Sequence, residues 1–301
     1  MRTSVFFLFW WTHVVIGHEA KSTPSSIRSF TTQVVKESAL LAASCLVSRP
    51  FNGAVASSGV LSPSSSFYTE YPYVKPDDII PYIDRNSRYG DVNSVIDAMS
   101  NFVTYYPMYS LSPLKAKVLE DTIKSSNPAK ILEIGTFFGF SALHICRSMS
   151  PKSNLVCIEG NEDNAKVAKE MINRAFGNNE NVLGRIKVVV GLSNAILDSK
   201  YVKKTLGGND FDFVFFDHDK DCYLPDLQRL ESRDLLNKEK CILIADNVIY
   251  PGAPDFLRYV DTNLSSGWKT DLKRMPFERK GYETKFKEVD DAMSISVRHS
   301  M

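Results

Sequence analysis

The spacing of apolar residues changes near residue 129 of this 301-residue chain. Upstream of that point, apolar side chains recur every three or four positions between Val95 and Tyr106, which predicts an amphipathic helix from about Val92 to Tyr105. Ser112 followed by Pro113 predicts the start of another helix, because serine caps helix N-termini and proline suits the first turn.

Downstream of residue 129, short apolar runs predict strands that alternate with helices. One predicted helix covers Phe140–Ser150, and a second is capped by Asn161 and ended by Gly177. Near-continuous apolar strands separated by helices indicate an α/β fold, with a mostly parallel sheet that helices cover on both faces. The predicted strands are Lys130–Ile134, Leu155–Ile158, Ile186–Val190, Phe211–Phe216, Cys241–Ala245 and Ala292–Val297.

The first 72 residues have a different character. Arg2 precedes the apolar run Val5–Ile16, which suits a signal peptide better than a full membrane span. The next segment is rich in Ser, Ala and Val and poor in acids, as transit peptides and disordered linkers are. We expect a signal-like or anchor segment over residues 1–20, a linker over 21–72 and a folded domain over 73–301. A secretory, a membrane-anchored and an organellar location all fit this pattern.

Composition excludes several classes of partner. The formal net charge is +1, so no long-range field attracts nucleic acid or an anionic membrane surface. We expect a monomer without a nucleic-acid partner, and membrane association only through the N-terminal segment. The five cysteines are scattered and odd in number, which favours buried thiols over disulfides or metal ligands.

The first predicted strand leads into a loop with glycines at positions 135 and 139. No G-x-G occurs there, which disfavours a dinucleotide pyrophosphate site. Ligands of such sheets bind beyond the carboxyl ends of the strands, where Glu133 and Glu159 follow two neighbouring strands. S-adenosylmethionine fits, because Glu159 can bind its ribose hydroxyls and Ser141, at a helix start, its carboxylate. The alternative is that each glutamate only caps its strand end.

Oxygen-bearing side chains also follow two later strands. Asp217 ends one of them, and Asp246 and Asn247 follow the next. Three oxygen ligands at one sheet edge predict a site for Mg²⁺. A calcium loop of the EF-hand type is excluded, because Cys222 and Gln228 stand where glycine and glutamate are required. The alternative is a set of solvated charges after two strands.

Lys220 lies three residues beyond Asp217. A divalent cation acidifies a bound catechol hydroxyl, and a neutral Lys220 can accept the released proton. The phenolate would then attack the sulfonium methyl group in line. The alternative is a surface lysine beside Asp219 and Asp221.

The stretches DHDKDCYLPD (217–226) and IADNVIYPGAPDFLRYV (244–260) closely resemble catechol O-methyltransferases, and a weaker similarity extends from about Ile79 to His299. The resemblance implies a seven-stranded, Rossmann-like class I methyltransferase that uses S-adenosylmethionine and Mg²⁺ to methylate a catechol or similar vicinal diphenol. It implies Lys220 as the general base and Asp217, Asp246 and Asn247 as magnesium ligands. The implied cofactor contacts are Leu111, Glu133, Gly135, Phe137, Ser141, Glu159, Gly160, Ser193, Asp217 and His218. The implied substrate contacts are Asp217, Lys220, Asn247, Pro251 and Glu283.

The chain departs from the family pattern around the acceptor. Two family tryptophans correspond to Pro107 and Asp219, and Phe137 replaces a tyrosine. A substrate-binding glutamate is matched by Thr284 directly, or by Glu283 after a shift of one residue. We therefore expect an acceptor that is larger or more polar than a simple catecholamine. The alternatives are a phenylpropanoid, caffeoyl-type O-methyltransferase and a non-catalytic scaffold with the same fold.

Overall fold

A computed structural model of the chain describes residues 76–106, 108–261, 267–277 and 289–298. The predictions made for residues 1–72, Pro107, Glu283 and Thr284 lie outside the described residues. Within the described part, no helix has the length and apolar character needed to cross a membrane.

Seven strands form one sheet: β1 Lys130–Ile134, β2 Asn154–Glu159, β3 Ile186–Val190, β4 Phe213–Phe216, β5 Ile242–Ala245, β6 Trp268–Pro276 and β7 Asp290–Arg298. Their order is β3-β2-β1-β4-β5-β7-β6. Strands β1 to β5 are parallel, whereas β7 pairs antiparallel with both β5 and β6. The prediction of a mostly parallel, Rossmann-like seven-stranded sheet is confirmed.

Helices connect the strands and cover both faces of the sheet. A 3₁₀ turn over Lys220–Cys222 follows β4, and a kinked helical turn over Val248–Gly252 follows β5. The helices are α1 Pro76–Asn86, α2 Val92–Tyr105, α3 Pro113–Ser126, α4 Phe140–Ser148, α5 Glu162–Phe176, α6 Glu180–Leu183, α7 Ser193–Asp198, α8 Val202–Thr205, α9 Tyr223–Ser232 and α10 Pro254–Asp261.

Two of the predicted helix starts follow the expected capping chemistry. Ser112 Oγ accepts a hydrogen bond from the backbone N–H of Lys115 at 3.4 Å, with Pro113 in the first turn of α3. Asn161 Oδ1 accepts from the backbone N–H of Asn164 at 3.0 Å at the start of α5. These bonds satisfy N–H groups that have no partner inside a helix.

Alternate residues of each central strand pack into two separate cores. Ile131 and Phe215 face the core formed with α1 to α5, whereas Leu132 and Phe216 face the core formed with α7 to α10. Because both faces are covered, the central strands are apolar at nearly every position. Cys146, Cys157 and Cys241 are buried free thiols in or beside these cores, as predicted.

Several boundaries and one strand differ from the predictions. Strands β2 and β7 extend one or two residues beyond the predicted ranges Leu155–Ile158 and Ala292–Val297 at each end. Helix α4 ends at Ser148 rather than Ser150, ahead of Pro151, because the residue before a proline disfavours helical geometry. Strands β4 and β5 begin two residues and one residue later than predicted. Strand β6 was missed because it is an edge strand with mostly polar, partly exposed residues.

Candidate active site

The strand order reverses between β1 and β4, since β2 and β3 extend to one side and β5 to the other. Open α/β sheets bind ligands beyond the carboxyl ends of their strands at such a reversal. Glu133, Glu159, Asp217 and Asp246 lie at or directly after the carboxyl ends of four neighbouring strands. The predicted site residues therefore share one edge of the sheet.

Gly135 and Gly139 shape the turn between β1 and α4, with positive φ values of 96° and 85°. A Cβ on Gly135 would lie 2.4 Å from the backbone oxygen of Asp217, and one on Gly139 would lie 3.2 Å from Ala168 of α5. Glycine is required at both positions by the close approach of neighbouring backbone.

Glu133 is fully buried behind this turn. Ser141 Oγ donates to its Oε1 at 2.5 Å, and Thr136 Oγ1 donates to its Oε2 at 2.8 Å. Burial raises the pKa of Glu133 to about 7, although both hydroxyl groups act in the opposite direction. Ser141 thus contacts Glu133 directly, in addition to lying at the start of α4 as expected.

Glu159 ties the β1 turn to the start of α5. Its Oε2 accepts from the backbone N–H of Phe137 at 2.7 Å, and its Oε1 accepts from that of Asn161 at 2.9 Å. This geometry supports the structural role that was weighed as an alternative. A carboxylate has about four acceptor positions, so Glu159 retains capacity for ligand hydroxyls.

Three of the remaining predicted cofactor residues follow strands that end at the same edge: Gly160 after β2, Ser193 after β3 and His218 after β4. Leu111 is buried directly before the cap of α3. His218 Nε2 lies 2.9 Å from Asp226 Oδ2, whereas its buried Nδ1 has no hydrogen-bond partner among the described residues. A buried nitrogen without a partner is expected where a ligand completes the hydrogen bonding.

Lys220 is only 15% exposed, so it is not a solvated surface lysine. Its Nζ donates to Asp217 Oδ1 at 3.0 Å and to the hydroxyl of Tyr223 at 2.7 Å. The fully buried Tyr223 hydroxyl also lies 2.9 Å from Phe216 O and 3.0 Å from Asp246 O. It therefore bridges the ends of β4 and β5 while it orients Lys220. Sequence reasoning missed Tyr223.

Asp246 is buried beside a lysine that sequence reasoning also missed. Its Oδ1 accepts from Lys115 Nζ at 2.6 Å and from the backbone N–H of Asn247 at 2.7 Å. Burial raises the pKa of Asp246 to about 6, with Lys115 opposing and Asp217 reinforcing the change. Burial disfavours the charge on Lys115, but the ion pairs with Asp246 and Asp291 outweigh it and raise the pKa of Lys115.

Asp291 in β7 is the second partner of that lysine. Its Oδ2 accepts from Lys115 Nζ at 2.6 Å and from Asn247 Nδ2 at 2.8 Å, and its Oδ1 accepts from the backbone N–H of Tyr250 at 3.0 Å. Lys115 shares four-residue spacing with Leu119, on the buried face of α3. A lysine on an apolar helix face was the one sequence feature that could have pointed to the pairing of Lys115 with Asp291.

Within the described ranges, no three His, Cys, Asp or Glu side chains form a metal-binding group. The predicted set instead combines two carboxylates, Asp217 and Asp246, with the amide of Asn247. The backbone N–H of Asp246 donates to Phe216 O at 3.0 Å, which holds the ends of β4 and β5 side by side. Two carboxylates and an amide are oxygen donors suited to a hard cation.

The family model described as O-methyltransferase matches residues 96–263, more than half of the chain. The chain belongs to the O-methyltransferase family. Catechol O-methyltransferase B of Danio rerio is 34% identical over 192 residues, which cover 64% of this chain and 70% of that protein. The transmembrane O-methyltransferase of Homo sapiens is 33% identical over 170 residues, which cover 56% of this chain and 55% of that protein.

A solved structure agrees with the fold of this O-methyltransferase. The O-methyltransferase TomG of Streptomyces achromogenes, in complex with SAM, aligns with a TM-score of 0.53 at 20% identity, covering 69% of this chain and 89% of that chain. Membership of the family identifies the chain as a methyltransferase enzyme. The matched region contains Glu133, Asp217, Lys220 and Asp246, whereas Asp291 lies beyond it.

Two residues expected around the acceptor can also be located in this O-methyltransferase. Pro251 is exposed and follows a cis peptide bond from Tyr250, whose N–H is held by Asp291. Asp219 is exposed and caps the 3₁₀ turn by accepting from the backbone N–H of Asp221 at 3.1 Å. An exposed carboxylate therefore stands at the position where the family resemblance implied an aromatic wall.

Proposed function

We propose that this O-methyltransferase transfers the methyl group of S-adenosylmethionine to one hydroxyl of a catechol or similar vicinal diphenol, with bound Mg²⁺ and with Lys220 as general base. The observation that carries the proposal is the 3.0 Å contact between Lys220 Nζ and Asp217 Oδ1, at the strand ends that also bear Asp246 and Asn247. A base next to oxygen donors is the arrangement that a metal-assisted deprotonation requires.

The donor atoms at these strand ends fit a magnesium ion. Both hydrogen bonds to Asp246 fall on Oδ1, so Oδ2 has no donor among the described residues. Asn247 donates through Nδ2 to Asp291, whose carboxylate can only accept, which leaves the amide Oδ1 for a cation. With Asp217 these atoms supply three oxygen ligands, and Mg²⁺ usually leaves its other positions to water or substrate.

The carboxyl ends of β1 and β2 fit S-adenosylmethionine. The ammonium group and the ribose hydroxyls of this cofactor can bind to the carboxylates of Glu133 and Glu159, since each carboxylate retains acceptor capacity. The buried, partnerless Nδ1 of His218 is available to a ligand on the same edge. These features support the cofactor that the sequence predicted.

Magnesium, when bound, would supply the positive charge that acidifies a hydroxyl group of the acceptor. Lys220 in its neutral form accepts the proton on Nζ, and Tyr223 together with Asp217 holds that atom in position. S-adenosylmethionine, when bound, would supply the methyl group that the phenolate oxygen takes as its bond to the sulfonium sulfur breaks. Orientation of the two reactants contributes up to ~7–11 kcal/mol in well-aligned cases.

The exposed carboxylate of Asp219 favours an acceptor that is more polar than a simple catecholamine. Asp219 is exposed beside Lys220, and a carboxylate cannot form an apolar wall for an aromatic ring. On the cofactor side, the rings of Tyr109 and Phe137 meet edge to face with centroids 5.9 Å apart. We propose a vicinal diphenol that carries polar groups near Asp219 in addition to the single ammonium group of a simple catecholamine.

The proposal is tested with the full chain, labelled S-adenosylmethionine and a panel of acceptors that includes a small catechol, a cationic catechol and a caffeoyl conjugate. Turnover should require Mg²⁺, stop with EDTA and return on adding Mg²⁺. Asp246→Asn and Lys220→Met should each lower kcat by about 100-fold or more. Asp212→Asn is the control, because Asp212 lies at the opposite ends of the strands. Turnover that is indifferent to EDTA, or unchanged in Lys220→Met, contradicts the proposal.

A further inference from the structure

A lysine and two aspartates form a buried ionic cluster behind the proposed cation site. Lys115 is 4% exposed, Asp246 is 3% exposed and Asp291 is fully buried. Lys115 Nζ lies 2.6 Å from an oxygen of each aspartate. Burying three charges is costly unless each is paired and hydrogen-bonded, and here every charge has a partner.

The contacts of this cluster constrain individual ligand atoms. Lys115 binds Oδ1 of Asp246, which fixes the rotation of the carboxylate and thereby the direction of Oδ2. Asp291 accepts from Nδ2 of Asn247 at 2.8 Å, which fixes the amide so that its oxygen faces away from Asp291. A second bond from the backbone N–H of Tyr250 to Asp291 anchors the loop that carries Asn247.

We propose that Lys115 and Asp291 are positioning residues of the cation site, which hold one oxygen of Asp246 and one oxygen of Asn247 in the orientation that a divalent cation needs. This inference rests on the proposed magnesium-dependent function. It assigns a role to the start of α3 and to the start of β7, two elements that supply no ligand themselves. Partners of metal ligands commonly change metal affinity about 10–100-fold when they are replaced.

Charge and orientation can be separated by the choice of variants. Asp291→Asn keeps the shape but removes a negative charge, so a loss of affinity could come from either cause. Lys115→Met/Asp291→Asn removes one charge of each sign and leaves the net charge of the cluster unchanged. If orientation matters, both variants lose affinity. If only charge matters, the double variant binds as the unmodified chain does.

The experiment measures binding of Mn²⁺ alone to the full chain by electron paramagnetic resonance, without cofactor or acceptor. Mn²⁺ serves as the probe because it accepts the same oxygen ligands as Mg²⁺. Asp212→Asn is a matched control. Asp212 is similarly buried and accepts the backbone N–H groups of Ala129 and Lys130 at 3.0 and 2.8 Å, far from the site. Circular dichroism verifies that each variant is folded at the temperature of the measurement.

We expect the Kd for Mn²⁺ to rise about 10–100-fold in Asp291→Asn and in the double variant, and to stay within twofold in Asp212→Asn. Lys115→Gln/Asp291→Asn replaces the double variant if that protein does not fold. Unchanged affinity in the charge-balanced variant, with a normal Kd for the unmodified chain, overturns the positioning role and leaves the proposed function intact. Absence of Mn²⁺ binding to the unmodified chain overturns both.

Discussion

Replacing Glu133 by glutamine should stabilise the cofactor-free protein at neutral and alkaline pH. Glu133 is fully buried, and burial raises its pKa from 4.5 to about 7. Between those pH values the carboxyl group is protonated in the folded protein and ionised in the unfolded chain. The folded state then binds more protons, so the stability contributed by Glu133 falls as the pH rises from 4.5 to about 7.

The size of the effect follows from the same two pKa values. A difference of one pKa unit corresponds to about 1.4 kcal/mol, so the full loss is about 3 kcal/mol once the pH exceeds about 7. Glutamine has almost the same shape, carries no charge and can keep one acceptor oxygen for Ser141 or Thr136. The gain of Glu133→Gln should grow from about 1 kcal/mol near pH 5 to about 3 kcal/mol at pH 8. For a domain of this size, about 3 kcal/mol raises Tm by about 6–12 °C.

Thermal and urea denaturation of both proteins at pH 5, 7 and 8, without cofactor, measures this gain. Glu120→Gln is the control because its expected effect on stability has the opposite sign. Burial acts against the charge of Glu120, but hydrogen bonds from His144 and Arg147 outweigh it and lower the pKa of Glu120 to about 2. Its contribution is complete above its ordinary pKa of 4.5 and is lost only as the pH falls towards about 2. Glu120→Gln should therefore destabilise the protein at pH 7 and 8, where Glu133→Gln stabilises it.

The reasoning fails if Glu133→Gln is no more stable than the unmodified chain at pH 8, or if its gain does not depend on pH. The same variant should bind S-adenosylmethionine more weakly in calorimetry, because a neutral amide cannot attract the ligand's ammonium group. Stability gained together with binding lost would mark Glu133 as a buried charge kept for function.

Three further predictions concern single side chains. Tyr223→Phe removes the hydroxyl that contacts two strand-end carbonyls and Lys220, so we expect a loss of about 1–3 kcal/mol in urea unfolding and a lower kcat with little change in KM. Trp268→Phe removes the ring N–H bond to Glu231 Oε1 at 2.8 Å, and we expect a loss of about 1–3 kcal/mol in unfolding with unchanged KM for the acceptor. Asp219→Trp adds an aromatic side chain beside the proposed acceptor position and should lower KM for a small uncharged catechol about 2–10-fold. An unchanged or higher KM would contradict the proposed position of Asp219 beside the acceptor.

Most of the central sheet could be predicted because its strands are buried on both faces. A run such as Phe213–Phe216 has few alternatives once helices precede and follow it. Strand β6 could not be predicted in this way. Only Trp268 and Met275 are buried, and the six residues between them are polar except for the partly buried Leu272. Such an edge strand is defined by its pairing with β7 rather than by its own apolar pattern.

The ligands of the proposed site were predictable because each follows a strand, and parallel strands bring their carboxyl ends to one edge. The supporting residues were not, because their roles depend on partners that are distant in sequence. Lys115 and Asp291 are separated by 176 positions, and although Lys115 falls on the apolar face of its helix, nothing in its own segment points to Asp291 as its partner. Tyr223 shows the same limit, since only the structure brings its hydroxyl to Asp246 O.

The antiparallel direction of β7 explains how a buried aspartate reaches this edge of the sheet. A parallel strand would bring only its carboxyl end and the following loop to the site. Because β7 runs the other way, with Ser294 opposite Ala245, its first residues lie just beyond the carboxyl end of β5. Asp291 is also paired with Met275 of β6, so it sits on a rigid ladder rather than in a loop. A side chain held in this way can orient Lys115 and Asn247 without moving with the loop that carries Pro251. Weakening the pairing of β6 with β7 should therefore lower Mn²⁺ affinity even though neither strand supplies a ligand.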